Sequence, residues 1–136
     1  MLRGPSEAVA SLAEVRAESP VFQAYRGSKP PRFVNRSELE CAKIIDYYGI
    51  PWDYEPTSFV LERDPDGRIA RAFTPDFYLP EQDLYIEVTV MKQSLVTRKN
   101  RKIRELQRLY PDVRVKLFYR RDIERLAQRY RLRLAS

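Results

Sequence analysis

Asp76 in "FTPDFYL" and Glu87 in "LYIEVTV" are two carboxylates embedded in aromatic and β-branched sequence. Strand alternation fixes their relation. Phe73, Phe77 and Leu79 point one way, and Thr74, Asp76 and Tyr78 the other. On the next run Leu84, Ile86, Val88 and Val90 share one face, and Tyr85, Glu87 and Thr89 the opposite one. A Pro80-Glu81-Gln82-Asp83 loop pairs Leu79 with Leu84 and sets Asp76 directly across from Glu87. Facing carboxylates repel, and burial adds a desolvation penalty. A hard divalent cation relieves both, since Mg²⁺ takes one or two carboxylates together with waters and phosphate oxygens. The alternative is that both acids are solvent-facing residues on an exposed sheet face, of which a covered α/β sheet leaves little.

The rest of the composition narrows the chemistry. There is no histidine, which excludes Ser-His-Asp triads, Cys-His pairs and His-ligated zinc. Catalysis then falls to carboxylates, lysines, hydroxyls or a bound cation. The lone Cys41 cannot form an internal disulfide, which agrees with a reducing cytoplasm. No apolar run approaches the roughly 18 residues of a membrane span, and the acid-bearing N-terminus does not read as a signal peptide. The net charge of +6 is uneven: residues 1–91 carry −5 and residues 92–136 carry +11. That asymmetry points to a polyanionic partner, a nucleic acid before any other.

These residues need elements to hold them. Residues 1–35 read as a helical arm and linker, with "SEAVASLAEV" as the weak helix, up to about residue 26, and "RGSKPPRF" as the break. Residues 36–136 read as the folded domain. "SELECAKIIDYYGI" has a wide apolar face through Leu39, Ala42, Ile45 and Tyr48, closed by Gly49. "WDYEPTSFVLERDPDGRIARAF" splits at "DPDG" into two strands. "LYIEVTVM" and "RVKLFY" are strands separated by a helix at "TRKNRKIRELQRLY", and "RRDIERLAQRYRLRL" is a last helix. The order is helix, a three-strand meander, helix, strand, helix. It predicts an α/β fold with a mixed sheet of about four strands flanked by helices.

"TPDF", followed eleven residues on by "IEVT", resembles the PD-(D/E)XK nuclease superfamily with its restriction-endonuclease-like fold. The element order is similar to that of transposon-end endonucleases, very-short-patch repair nucleases and archaeal-type junction resolvases, over roughly residues 36–120. The resemblance implies Asp76, Glu87 and the Val88 carbonyl as ligands of Mg²⁺ or Mn²⁺. It implies that Glu40, on the first helix, reaches the metal or its waters. Glu40 competes with itself here, because Ser37-Glu38-Leu39-Glu40 also reads as a capping box, with Glu38 as an exposed first-turn acid. The family's lysine, which orients the attacking water or steadies developing charge, falls at Thr89. Lys92, Lys99 and Lys102 are the lysines near enough in sequence to replace it, and Gln93 is an amide in the same region.

Arg98, Lys99, Arg101, Lys102, Arg104 and Arg108 give the basic helix a phosphate-binding role, extended by Tyr119, Arg120, Arg121, Arg125, Arg129 and Arg131. The expectation is a metal-dependent endonuclease acting on DNA. The alternatives are a non-catalytic nucleic-acid-binding or assembly module of the same fold and, less favoured, an RNA-processing nuclease. Many relatives in that superfamily act as dimers or in larger complexes, so the resemblance leaves room for a homodimer or a partner protein.

Overall fold

In the computed structural model, residues 21–90 and 92–135 are described, the last five in backbone only. Helix α1 (Arg36–Tyr47) is followed by β1 (Asp53–Tyr54), β2 (Phe59–Arg63), β3 (Ile69–Phe73), β4 (Phe77–Leu79) and β5 (Leu84–Val88). Then come α2 (Gln93–Leu109), β6 (Val115–Phe118) and α3 (Arg120–Ala135). The main sheet has the order β1-β4-β5-β6, antiparallel except for the parallel β5–β6 pair. This is an α/β fold with a mixed four-stranded sheet and helices around it. Among the described residues no helix is long and apolar enough to cross a membrane.

The two faces of the sheet are covered differently. Phe77, Leu79, Leu84, Ile86 and Val88 pack into a core with Leu39, Ala42 and Ile45 of α1 and Ile123 and Ala127 of α3. Tyr85 and Leu117 point to the other face. There they meet Phe59, Leu61 and Phe73 of the β2–β3 hairpin and Ile103 and Leu106 of α2. Period-2 alternation along β5 thus feeds two cores.

The expected three-strand meander is replaced by an excursion. β2 and β3 form their own two-stranded sheet, and β4 pairs with β1 instead of β3. Pro75, fully buried between β3 and β4, has no amide hydrogen to give a ladder, so the run from Phe73 to Leu79 breaks there. The hairpin turn is the one that "DPDG" implies. Gly67 has φ of +85°, its N–H bonds the Asp64 carbonyl at 2.9 Å, and the Asp64 carboxylate accepts from Asp66 and Arg68.

The expected helical arm falls mostly in residues 1–20, outside the described residues. From residue 21 the chain is extended, not helical. Ala24 and Arg26 exchange hydrogen bonds with Trp52, and Tyr25 bridges Trp52 in parallel. Phe33, only 2% exposed, belongs to the main core. It forms an aromatic cluster with Phe22, Trp52, Tyr54 and Phe77. The stretch read as a linker therefore supplies core side chains. Asp46, buried in the last turn of α1, ties it down by accepting from the Gln23 and Ala24 amides and from Trp52 Nε1. Gly49, with φ of +71°, ends α1 as its position suggests.

Candidate active site

The β4–β5 register places Leu79 opposite Leu84 and Phe77 opposite Ile86, so the next pair outward is Asp76 and Glu87. Both are buried, at 6% and 7% exposure. Each carboxylate is anchored by the backbone beside the other. The Val88 N–H donates to Asp76 Oδ2 at 2.8 Å, and the Asp76 N–H donates to Glu87 Oε1 at 3.2 Å. Asp76 lies just before β4, and its N–H goes to the Glu87 carboxylate while its carbonyl accepts from the Glu55 N–H at 2.8 Å.

Burial drives the electrostatics. Asp76 is pushed up to about 8, first by desolvation, then by the charges of Glu87 and Glu38, with the Val88 amide and Lys99 pulling it down. Glu87 is also raised by burial, against the pull of Lys99. Such a pair holds a proton or a cation more readily than two free charges.

Among the described residues, Lys99 is the cation in contact with this pair. Its Nζ lies 2.6 Å from the Val88 carbonyl and 3.2 Å from Glu87 Oε2. The basic helix starts at Gln93, four residues before the expected "TRKN" start. That brings Lys99 into its second turn, with the amine over the end of β5. Lys92 is thereby the N-cap residue, exposed and making no side-chain cap bond. Lys102 is exposed one turn beyond Lys99, and Gln93 bonds along the helix to Thr97. Of the three candidate lysines, Lys99 alone is brought to the acids by a described contact.

Thr89 is buried at the same strand end. Its N–H donates to the Phe118 carbonyl at 3.0 Å and its hydroxyl to the Val90 carbonyl at 3.2 Å. It lines two adjoining cavities together with Ser37, Val88 and Val90. One, of about 80 Å³, also includes Asn35, Leu95 and Lys99. The other is a groove of about 380 Å³ completed by Tyr119, Arg120, Arg121 and Glu124. Both open at the C-terminal end of β5, where helices α1, α2 and α3 all begin. Helix N-termini favour anions, and the end of a parallel strand pair is where α/β folds bind ligands.

The first helix corrects two readings. Its N-cap is Asn35, whose side chain accepts from the Glu38 amide at 3.0 Å. The Ser37–Glu40 capping box is not formed. Glu38, expected to be exposed, is 6% exposed and accepts from the Tyr54 hydroxyl at 2.6 Å and the Val34 amide at 3.3 Å. The Tyr54 hydroxyl is raised far above its usual range by burial and by Glu38. Glu40 is half-buried and pairs with Arg120 at 3.5 Å. The acid whose charge raises both Asp76 and Glu87 is therefore Glu38, two residues earlier. Asn35 followed three residues on by Glu38 was the sequence signal for this arrangement.

Among the described residues no group of three or more His, Cys, Asp and Glu side chains is gathered to hold a metal. Two carboxylates and a main-chain carbonyl remain, a donor set suited to Mg²⁺ or Mn²⁺ completed by water and phosphate. Arg98, Arg101, Lys102, Arg104 and Arg108 are exposed on α2, and Arg120 and Arg121 at the start of α3. Arg121 also stacks its guanidinium over Tyr119 at 5.1 Å. No family model matches the chain, and no curated protein or solved structure matches it.

Proposed function

We propose that the protein is a metal-dependent endonuclease that hydrolyses phosphodiester bonds in DNA and belongs with the PD-(D/E)XK nucleases. The observation that carries this reading is the approach of Lys99 to the buried Asp76–Glu87 pair, a lysine arriving from the next helix where the strand offers only Thr89. Asp76, Glu87 and the Val88 carbonyl would hold Mg²⁺ or Mn²⁺. That ion supplies charge to the phosphate and lowers the pKa of a bound water. Lys99 steadies the negative charge that develops on the phosphoryl oxygens. Glu38, through its charge, keeps the acid pair in need of a cation. Arg120 and Arg121 border the groove beside the cut site, and the arginines of α2 neutralise neighbouring phosphates.

The second reading, a non-catalytic nucleic-acid-binding module, is favoured by one observation: the Thr89 hydroxyl gives its one proton to the Val90 carbonyl and has none left to donate to a phosphate. Supercoiled, linear and branched DNA, and a structured RNA, incubated with the protein in Mg²⁺, Mn²⁺ or chelator separate the readings. Metal-dependent cleavage of DNA supports the endonuclease. Binding without cleavage on every substrate supports the module, and cleavage confined to RNA moves the substrate class.

A further inference from the structure

The position of Lys99 has a consequence for metal loading that rests on the nuclease reading but can fail separately. Its amine touches the Val88 carbonyl and Glu87 Oε2, two of the three groups that would hold the cation. A divalent ion sits at about 2.1 Å from such oxygens. An ammonium at 2.6 Å from the same carbonyl takes up one of its two lone pairs, and two cations sharing those oxygens repel strongly in a buried site. We propose that Lys99 is an internal counter-cation that occupies the cation position of the metal-free protein, so that divalent metal binds by exchange with its amine.

The surroundings allow that exchange without moving a helix. The lysine stem is long and flexible, and Lys99 already lines the cavity of about 80 Å³ beside Asn35, Ser37 and Leu95. That cavity shares Ser37, Val88, Thr89 and Val90 with the larger groove. An amine displaced into it moves toward the place where a phosphate would lie. The same side chain thus serves as a stand-in for the metal before loading and as a phosphate partner after it. Without such a stand-in, Asp76 and Glu87 would face each other beside Glu38 with no cation in contact with them among the described residues.

The test is Mn²⁺ affinity of the full chain, without DNA, by calorimetry and by the electron paramagnetic resonance of free Mn²⁺. Wild type, Lys99→Met and Lys99→Gln are compared, with Lys102→Met reporting the through-space effect of one lost charge. Folding of each is checked by circular dichroism. Releasing a charge-assisted contact to carboxylate and carbonyl is expected to tighten Mn²⁺ binding in the Lys99 variants by about tenfold, against about twofold or less for Lys102→Met. Lys99 variants that bind Mn²⁺ no more tightly than Lys102→Met overturn the exchange and leave the metal site standing. No saturable Mn²⁺ binding in any of the proteins overturns both. Wild type gives a check that needs no substitution. The Lys99 side-chain ammonium resonance, slowed in solvent exchange in chelator, should lose that protection as Mg²⁺ saturates. Its persistence unchanged at saturation overturns the proposal.

Discussion

The metal-free protein should lose stability as pH rises from about 5.5 to about 8, and Asp76→Asn should remove the share of that loss that Asp76 carries. Asp76 sits at about 8 in the folded chain against an ordinary 3.8, because burial and the Glu87 and Glu38 charges disfavour its ionised form. Below about 4 the carboxyl is protonated in both folded and unfolded chains, and its contribution is fully present. Between there and about 8 the folded chain keeps a proton that the unfolded chain has released, so stability falls. Above about 8 both are ionised and the fall stops. One such proton corresponds to roughly 1.4 kcal/mol per pH unit, or about 3 kcal/mol from about pH 5.5 to 8. That is a large part of the roughly 5–15 kcal/mol expected of a domain. Asparagine keeps an oxygen to accept the Val88 N–H but cannot ionise. The Asn variant should therefore slope less steeply over this range, with the raised Glu87 carboxyl still titrating, and be more stable than wild type above about pH 8. Urea unfolding in chelator at a series of pH values measures this. Saturating Mg²⁺ should flatten the wild-type slope. An Asn variant with the wild-type slope, or a wild type that gains stability with pH, would refute the reasoning.

Other expectations follow from the packing and the charge. Trp52→Ala removes a fully buried ring that contacts Phe22, Tyr25, Phe33 and Phe77; it should cost about 3–5 kcal/mol in chemical denaturation. The change also removes a donor to buried Asp46. Arg101→Ala combined with Arg104→Ala should weaken binding of duplex DNA across unrelated sequences. For two lost phosphate contacts the slope of log affinity against log salt should become shallower by about 1.8, read by fluorescence anisotropy. Gly67→Ala, at φ of +85° in the β2–β3 turn, should lower the denaturation midpoint by the equivalent of about 1 kcal/mol.

The carboxylate pair was legible because its causes are local. A four-residue loop and strict alternation set Leu79 against Leu84, and the Asp76–Glu87 pairing follows from that register. The α/β class was legible from the order of periodic segments. The separate β2–β3 sheet was not, since Pro75 reads as part of a motif and its missing amide matters only when strands choose partners. Glu38 was misplaced because two overlapping caps, Asn35-to-Glu38 and Ser37-to-Glu40, compete in the sequence, and docking of Tyr54 on Glu38 agrees with the first. Lys99 stood among three lysines until the start of α2 at Gln93 fixed its direction. The core role of Phe22 and Phe33 was hidden by the glycine and prolines between them, which mark a turn-rich segment without saying whether it packs.

Single-turnover cleavage of labelled DNA at saturating Mn²⁺, comparing wild type with Asp76→Asn, Glu87→Gln and Lys99→Met, decides whether the buried acid pair is catalytic. Wild type should cut only with metal present. The two carboxylate variants should fall by at least about 100-fold, and Lys99→Met by roughly 10²–10³, although it binds Mn²⁺ more tightly. Wild-type DNA binding without cleavage, or cleavage untouched by the Asp76 and Glu87 substitutions, would contradict the account.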